Sequence, residues 1–208
     1  MQRNPLHIVQ SYLLKITGRR RFLSYDDVDS LNDSLAEKID NSGYAPDVVV
    51  GISKGGEYPA FVISCDFGAD IASVKVNHYG IGLNGFQIED IVGVYRLARL
   101  FGYRPSINVQ QDVAREVIAS RRVLIVDDDS YSGLTLEAAL RSINEKEPLE
   151  VKTAVLHTYT GNPCVDFAGM LSSRESLYRK RQVYPWSLLS PHYLLDETET
   201  EHAHSFTS

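Results

Sequence analysis

The chain has 208 residues, 43% hydrophobic and 23% charged, enough to bury one full core in a composition ordinary for a globular protein. Its 27 acidic against 21 basic side chains leave a formal charge of −6, which argues against a general nucleic-acid binder, whose affinity comes from cationic contacts to phosphate. Two cysteines, Cys65 and Cys164, make neither a disulfide framework nor a zinc spacing, and no apolar run is long enough to span a bilayer, so a reducing, cytoplasmic setting without membrane contact is expected.

Residues 1–24 form a basic arm: Arg3, Lys15, Arg19, Arg20 and Arg21 occur with no acidic residue. Its apolar patch is interrupted by His7, Gln10 and Ser11 and precedes the arginines, unlike a secretory signal. An arm that packs on the body or on a partner is expected, with a transit peptide as the alternative. Residues 25–42 read as an amphipathic helix, with Val28, Leu31, Leu35 and Ile39 at helical spacing and Gly43 as its stop. DVVVGI (47–52) has the look of a strand buried on both faces. A glycine turn and a helix to residue 67 follow, then a strand over 71–76. Gly80, Gly82 and Gly85 make 77–86 a mobile loop by composition, and Ile88, Ile91, Val92, Tyr95 and Ala98 suggest another helix. A weaker strand at 106–109 precedes RVLIVD (122–127), the clearest strand in the chain. A helix over 134–144 and a strand over 151–159 complete the pattern, and the segment 191–208, ending DETETEHAHSFTS, is expected to be disordered.

Strands alternating with helices at this spacing predict an α/β fold, a doubly wound and mainly parallel sheet over 25–190. Ligands of such sheets bind at the carboxyl ends of the strands. Two stretches occupy such ends, GISKGG (51–56) and DDDSYSGLT (127–135).

In the second stretch, Ser130, Ser132, Gly133 and Thr135 are small, and the turn opens a helix. Backbone N–H groups of such a turn point at a phosphate, helped by the positive end of the helix dipole. It has no lysine and so is not a Walker-type loop. The acids before it make sense if the ligand also presents a sugar diol and Mg²⁺, a hard cation that takes oxygen ligands. In the first stretch, Gly55 and Gly56 let backbone approach a second anion, with Lys54 as point charge. Two anion cradles around a diol-and-metal site describe phosphoribosyl pyrophosphate (PRPP).

Residues 123–135, VLIVDDDSYSGLT, resemble the signature of the type I phosphoribosyltransferases, and GISKGGEYPA resembles that family's pyrophosphate loop. VYPWSL (183–188) is similar to the base-covering hood of the xanthine/guanine/hypoxanthine branch. The resemblance spans residues 25–188 and implies the family's fold with a small hood from the C-terminal part, joined by the N-terminal arm. It implies Mg²⁺-dependent transfer of phosphoribose to a nucleobase, in purine salvage, with release of pyrophosphate. Positioning and charge stabilisation would supply most of the catalysis. Asp127 and Asp128 would hold the ribose hydroxyls and the metal. Asp129, Ser130, Tyr131, Ser132, Gly133, Leu134 and Thr135 would cradle the 5′-phosphate, with Tyr131 also at the catalytic position, and Ser53, Lys54, Gly55 and Gly56 the pyrophosphate. His78 and Tyr79 match the mobile flap that excludes water, and Arg181, Val183 and Trp186 would meet the base. A homodimer is expected from the resemblance.

The chain departs from the family on the base side. Tyr131 stands where purine members carry an aspartate, and a phenol with pKa about 10 is a poor base at neutral pH. The stretch LHTYTGNPCVDF (156–167), where the family's 6-oxopurine branch places a lysine, has none, His157 being the nearest ionisable group, and Arg181 stands where an aromatic is common. Two further readings therefore stay open: a non-catalytic relative binding PRPP or a nucleotide as a regulatory signal, and a pyrimidine substrate. A receiver-domain reading of the acidic run fails because too little chain follows, and a phosphatase reading fails because Tyr131 stands where threonine belongs.

Overall fold

A computed structural model of the chain describes residues 20–79, 82–83, 86–87, 106–131, 133–173 and 181–187. In chain order its elements are β1 (Arg20–Phe22), α1 (Tyr25–Asn41), β2 (Val48–Ser53), α2 (Glu57–Phe67), β3 (Asp70–Tyr79), β4 (Gly82–Leu83) and β5 (Phe86–Gln87). There follow β6 (Ser106–Gln111), α3 (Arg115–Ile118), β7 (Arg122–Ser130), α4 (Leu134–Asn144), β8 (Glu150–Tyr159), β9 (Phe167–Ser172) and β10 (Arg181–Val183). The helix expected over 88–98 and the segment 191–208 lie outside the described residues.

Six strands form one sheet in the order β6-β3-β2-β7-β8-β9, parallel throughout except for β6, which runs antiparallel to β3 along one edge. The alternation of side chains along β2 explains why its sequence is apolar without a break. Val48, Val50 and Ile52 face a core that includes Ile118 of α3 and Leu136, Ala139 and Ile143 of α4. Val49 faces the opposite core, made with Val28, Leu35 and Ile39 of α1 and Ala60 and Ile63 of α2. A strand with helices on both sides has no face left for water. From the central pair, β2 crosses through α2 to β3 on one side, and β7 crosses through α4 to β8 on the other. The loops after β2 and β7 therefore leave side by side at the point where the winding reverses, where ligands bind in such sheets.

The structure corrects several sequence expectations. Asn77, His78 and Tyr79 belong to β3, where they pair antiparallel with Asn108, Ile107 and Ser106, instead of starting a loop. Beyond them Gly82–Leu83 pairs with Phe86–Gln87 as a short antiparallel ladder. β7 continues past Asp127 to Ser130, so all three aspartates lie on a strand. β9, which the apolar pattern did not announce, forms the other edge of the sheet. The basic arm ends in β1, which pairs in parallel with β10, Arg20 opposite Arg181 and Phe22 opposite Val183, so the arm's end and the C-terminal segment make one small unit. Leu23 continues this pairing through its N–H to the Val183 carbonyl at 2.9 Å, and its side chain enters the core with α1.

Candidate active site

The two loops are in contact, and glycine is what permits it. A Cβ placed on Gly55 would fall 2.3 Å from Asp128 Oδ2, and one on Gly56 would fall 2.2 Å from the Val126 carbonyl and 2.9 Å from Asp127 Cα. Gly56 has an ordinary helical φ of −79°, so its role is close approach and not an unusual backbone angle. Ser53 closes β2 and donates its hydroxyl to Glu57 in the first turn of α2. The Ser53–Lys54 peptide bond is cis, and Lys54 is exposed at the tip of the loop.

Asp127 and Asp128 stand at the edge of this contact. Asp127 is buried, and burial together with the neighbouring Asp128 charge pushes its carboxyl well above the usual range. Asp128 is pushed up to about 7, first by burial and then by the Asp129 charge, against the opposing effect of the Trp186 N–H and backbone N–H groups. The Asp128 N–H donates to Asp127 Oδ1 at 3.0 Å. Two adjacent carboxylates, Asp127 buried and Asp128 half-buried, whose charge is disfavoured in this way suit a divalent cation, and their donor atoms are the oxygens that Mg²⁺ takes. Among the described residues no group of three His, Cys, Asp or Glu side chains could hold a metal alone.

Asp129 is engaged elsewhere. Its Oδ1 lies 2.9 Å from His157 Nδ1, and His157 Nε2 lies 2.8 Å from Ser172 Oγ, a line that crosses β7, β8 and β9. The Tyr131 ring stands edge-on to His157 at 6.5 Å. Ser130 is buried and turned inward: Asn162 Nδ2 donates to its hydroxyl oxygen at 3.0 Å, and Thr158 Oγ1 donates to its carbonyl at 2.7 Å. Its side chain supports the loop and is not presented to a phosphate. Gly133 caps α4 in a left-handed conformation, φ 76°, where a Cβ would meet Cys164 Sγ at 2.8 Å, and Leu134 and Thr135 open the helix behind it. That N-terminus lies directly beyond the acidic strand end, the arrangement a phosphate group requires. Ser132 and the side chains of His78, Tyr79 and Arg181 lie outside the described residues.

Val183 is buried in the unit formed by β1 and β10. Trp186 turns its indole N–H onto Asp128 Oδ2 at 3.1 Å, and Tyr184 donates its hydroxyl to the Asp128 carbonyl at 3.0 Å. The sequence reading did not single out Tyr184, Asn162 or Ser172. Asn-Pro and Val-Tyr-Pro are turn-like strings without a chemical signature, and their contacts to Ser130 and Asp128 join residues 32 and 56 apart; Ser172, on an edge strand not foreseen, meets His157 from a neighbouring strand.

A family model described as "Phosphoribosyl transferase domain" matches residues 24–168, more than half of the chain and both loops. The chain belongs to the phosphoribosyltransferase family. The same architecture occurs in a purine phosphoribosyltransferase from Pyrococcus horikoshii, 26% identical with a TM-score of 0.57, over 81% of this chain and 95% of that one. A hypothetical protein from Neisseria gonorrhoeae with bound ppGpp, 23% identical, has a TM-score of 0.59 over 88% of this chain and 98% of the other. The Helicobacter pylori xanthine-guanine-hypoxanthine phosphoribosyltransferase, 14% identical, also reaches 0.59, over 87% of this chain and 99% of its own. These last two likenesses show the fold alone. No match to the chain is found among curated protein sequences.

This phosphoribosyltransferase thus sets its glycine loop against its acidic strand end, and α4 opens a few residues further along the chain. No helix among its described residues is long and apolar enough to cross a membrane.

Proposed function

We propose that this phosphoribosyltransferase transfers phosphoribose from PRPP to a nucleobase, with a purine as the acceptor class. The observation that carries the reading is the contact between loops: Gly55 lies against the Asp128 carboxylate, so a pyrophosphate held at residues 53–56 is adjacent to a ribose held at the acidic pair. The purine assignment is supported by the likeness to the P. horikoshii purine enzyme.

In this reading Asp127 and Asp128 accept hydrogen bonds from the ribose hydroxyls and contribute oxygens to Mg²⁺, which when bound offsets charge on the departing pyrophosphate. The backbone at Ser53, Lys54, Gly55 and Gly56 and the Lys54 ammonium hold the pyrophosphate, and the turn at 131–135 with the N-terminus of α4 holds the 5′-phosphate. Fixing the donor at both ends leaves its anomeric carbon open to a nucleobase nitrogen, so catalysis is chiefly positioning and charge stabilisation. Asp129 is occupied by His157, and its part is to hold the strand end beneath the phosphate turn. The unit formed by β1, β10 and the Tyr184–Trp186 turn lies over the site as the hood, and the dimer of the family is the expected assembly.

The test is nucleotide formation from PRPP, Mg²⁺ and a panel of purines and pyrimidines. Turnover with one purine class is expected, falling at least about a hundredfold in the Asp127→Asn, Asp128→Asn double variant. PRPP binding by calorimetry without product from any base would favour the regulatory reading, for which Tyr131 in the place of the family's aspartate is the specific support. Undiminished turnover in the double variant would remove the assignment of the acidic pair.

A further inference from the structure

The residue at issue is Trp186, the only tryptophan of the chain. The family resemblance implies that it meets the base. In the structure its ring packs between two tyrosines. Tyr184 lies stacked on it, 5.0 Å between centroids and 13° between planes, and Tyr58 approaches at 5.6 Å and 41°. Tyr58 is tied in turn to α1, through its hydroxyl to Asp29 at 2.7 Å and through an edge contact with Tyr25 at 6.1 Å. The polar edge of the indole points to the ribose side of the site, where Nε1 donates to Asp128 Oδ2 at 3.1 Å. The neighbouring Tyr184 hydroxyl holds the carbonyl of the same aspartate at 3.0 Å. One turn of the hood thus grips both the side chain and the main chain of Asp128.

The chemistry of the donor matters. An indole N–H donates and cannot accept, so the atom facing it stays an acceptor. It is also uncharged, so it orients the carboxylate without neutralising it, whereas a lysine or arginine here would form an ion pair and compete with a cation and a diol. We propose that Trp186 is a positioning residue for PRPP: its N–H sets the rotamer in which Asp128 meets the ribose, and the residue governs affinity for the phosphoribosyl donor and not for the base. This rests on the reading that the two loops bind PRPP.

Trp186→Phe keeps an aromatic ring between Tyr184 and Tyr58 and removes the donor. Calorimetric titration with PRPP and Mg²⁺ is expected to show binding weakened about tenfold, the effect of one hydrogen bond to a charged group. The KM for the base is expected to stay within about twofold. A second measurement needs no variant. Because Trp186 is the sole indole, its fluorescence reports this contact, and emission is expected to change on addition of PRPP with Mg²⁺ and to stay constant on addition of base alone. Wild-type affinity for PRPP in Trp186→Phe, a rise in the base KM at unchanged PRPP affinity, or quenching by base alone would each overturn the inference while leaving the functional reading standing. Absence of PRPP binding by the wild-type protein would overturn both.

Discussion

Asp127 and Asp128 sit where burial and the charge of the next aspartate along the strand both disfavour ionisation, and neighbouring hydrogen-bond donors offset that cost only in part. Gly55 and Gly56, two adjacent glycines in one loop, meet this site in different ways, and the difference is testable. A methyl on Gly55 would collide with the movable carboxylate of Asp128, whereas a methyl on Gly56 would collide with the Val126 carbonyl, a fixed atom of the central sheet. Gly55→Ala is therefore expected to fold with near wild-type thermal stability and to lose about a hundredfold in kcat/KM, because displacing one reacting-site group by a fraction of a bond length is enough. Gly56→Ala is expected to lose about 2 kcal/mol of stability, as overpacking against backbone does. Thermal melts and kinetics on the pair separate the two roles. Loss of stability in Gly55→Ala, with activity unchanged, would contradict the contact.

The behaviour of α1 shows how far an apolar pattern carries at the level of an element. Its N-terminus is closed by a capping box, in which Ser24 and Asp27 exchange side-chain and backbone hydrogen bonds, and its stripe of Val28, Leu35 and Ile39 is buried as the spacing predicts. Leu31 lies at the margin of that stripe, while Asn32, one position on, is fully buried. Neither polar atom of the Asn32 amide has a hydrogen-bond partner among the described residues. A buried amide in that state is costly, so Asn32→Leu is expected to raise stability by about 1–2 kcal/mol, measured as a higher urea midpoint. A lower midpoint would mean that the amide is satisfied by a group such as a buried water. The same helix also decides β9. Lys38 Nζ donates to the carbonyls of Ala168 and Gly169 at 2.6 and 2.8 Å, and a Cβ on Gly169 would lie 2.7 Å from the Leu31 carbonyl. FAGMLS becomes a strand because α1 closes over it, a reason that no local pattern could show.

For the whole molecule, the sheet is clamped at the end away from the site by ion pairs. Arg122 holds Asp47 through Nη2 at 2.8 Å and Nε at 3.1 Å, and its backbone N–H adds a third bond at 2.8 Å, joining the strand starts of β2 and β7. The Arg122 side chain and backbone donors hold the Asp47 carboxyl below the usual carboxylate range. A group with a depressed folded pKa contributes fully above its unfolded value, about 4, and loses the contribution as pH falls through the folded value. The melting temperature of Asp47→Asn is therefore expected to lie below that of the wild type at neutral pH, the gap narrowing as pH falls below about 4. A gap that does not change with pH would assign the effect to lost hydrogen bonding alone. At the opposite end, winding in two directions from β2 and β7 brings together loops that lie about 70 residues apart in the chain, as judged from Gly55 and Asp128.

The sequence by itself determined the α/β class and marked the two strand-end loops and the acidic run as the places to look for a site. Buried parallel strands are continuously apolar, and glycines and acids at strand ends stand out against them, so these features follow from local composition. Tertiary structure alone decided what each loop residue does. Ser130 and Asp129 read alike as parts of a phosphate cradle, yet Asn162 holds the one and His157 the other, and Trp186, read as meeting the base, has its N–H on Asp128. The physical reason is common to all three: a polar side chain has a few hydrogen-bonding positions, and which partner fills them is set by segments brought near in space by the sheet.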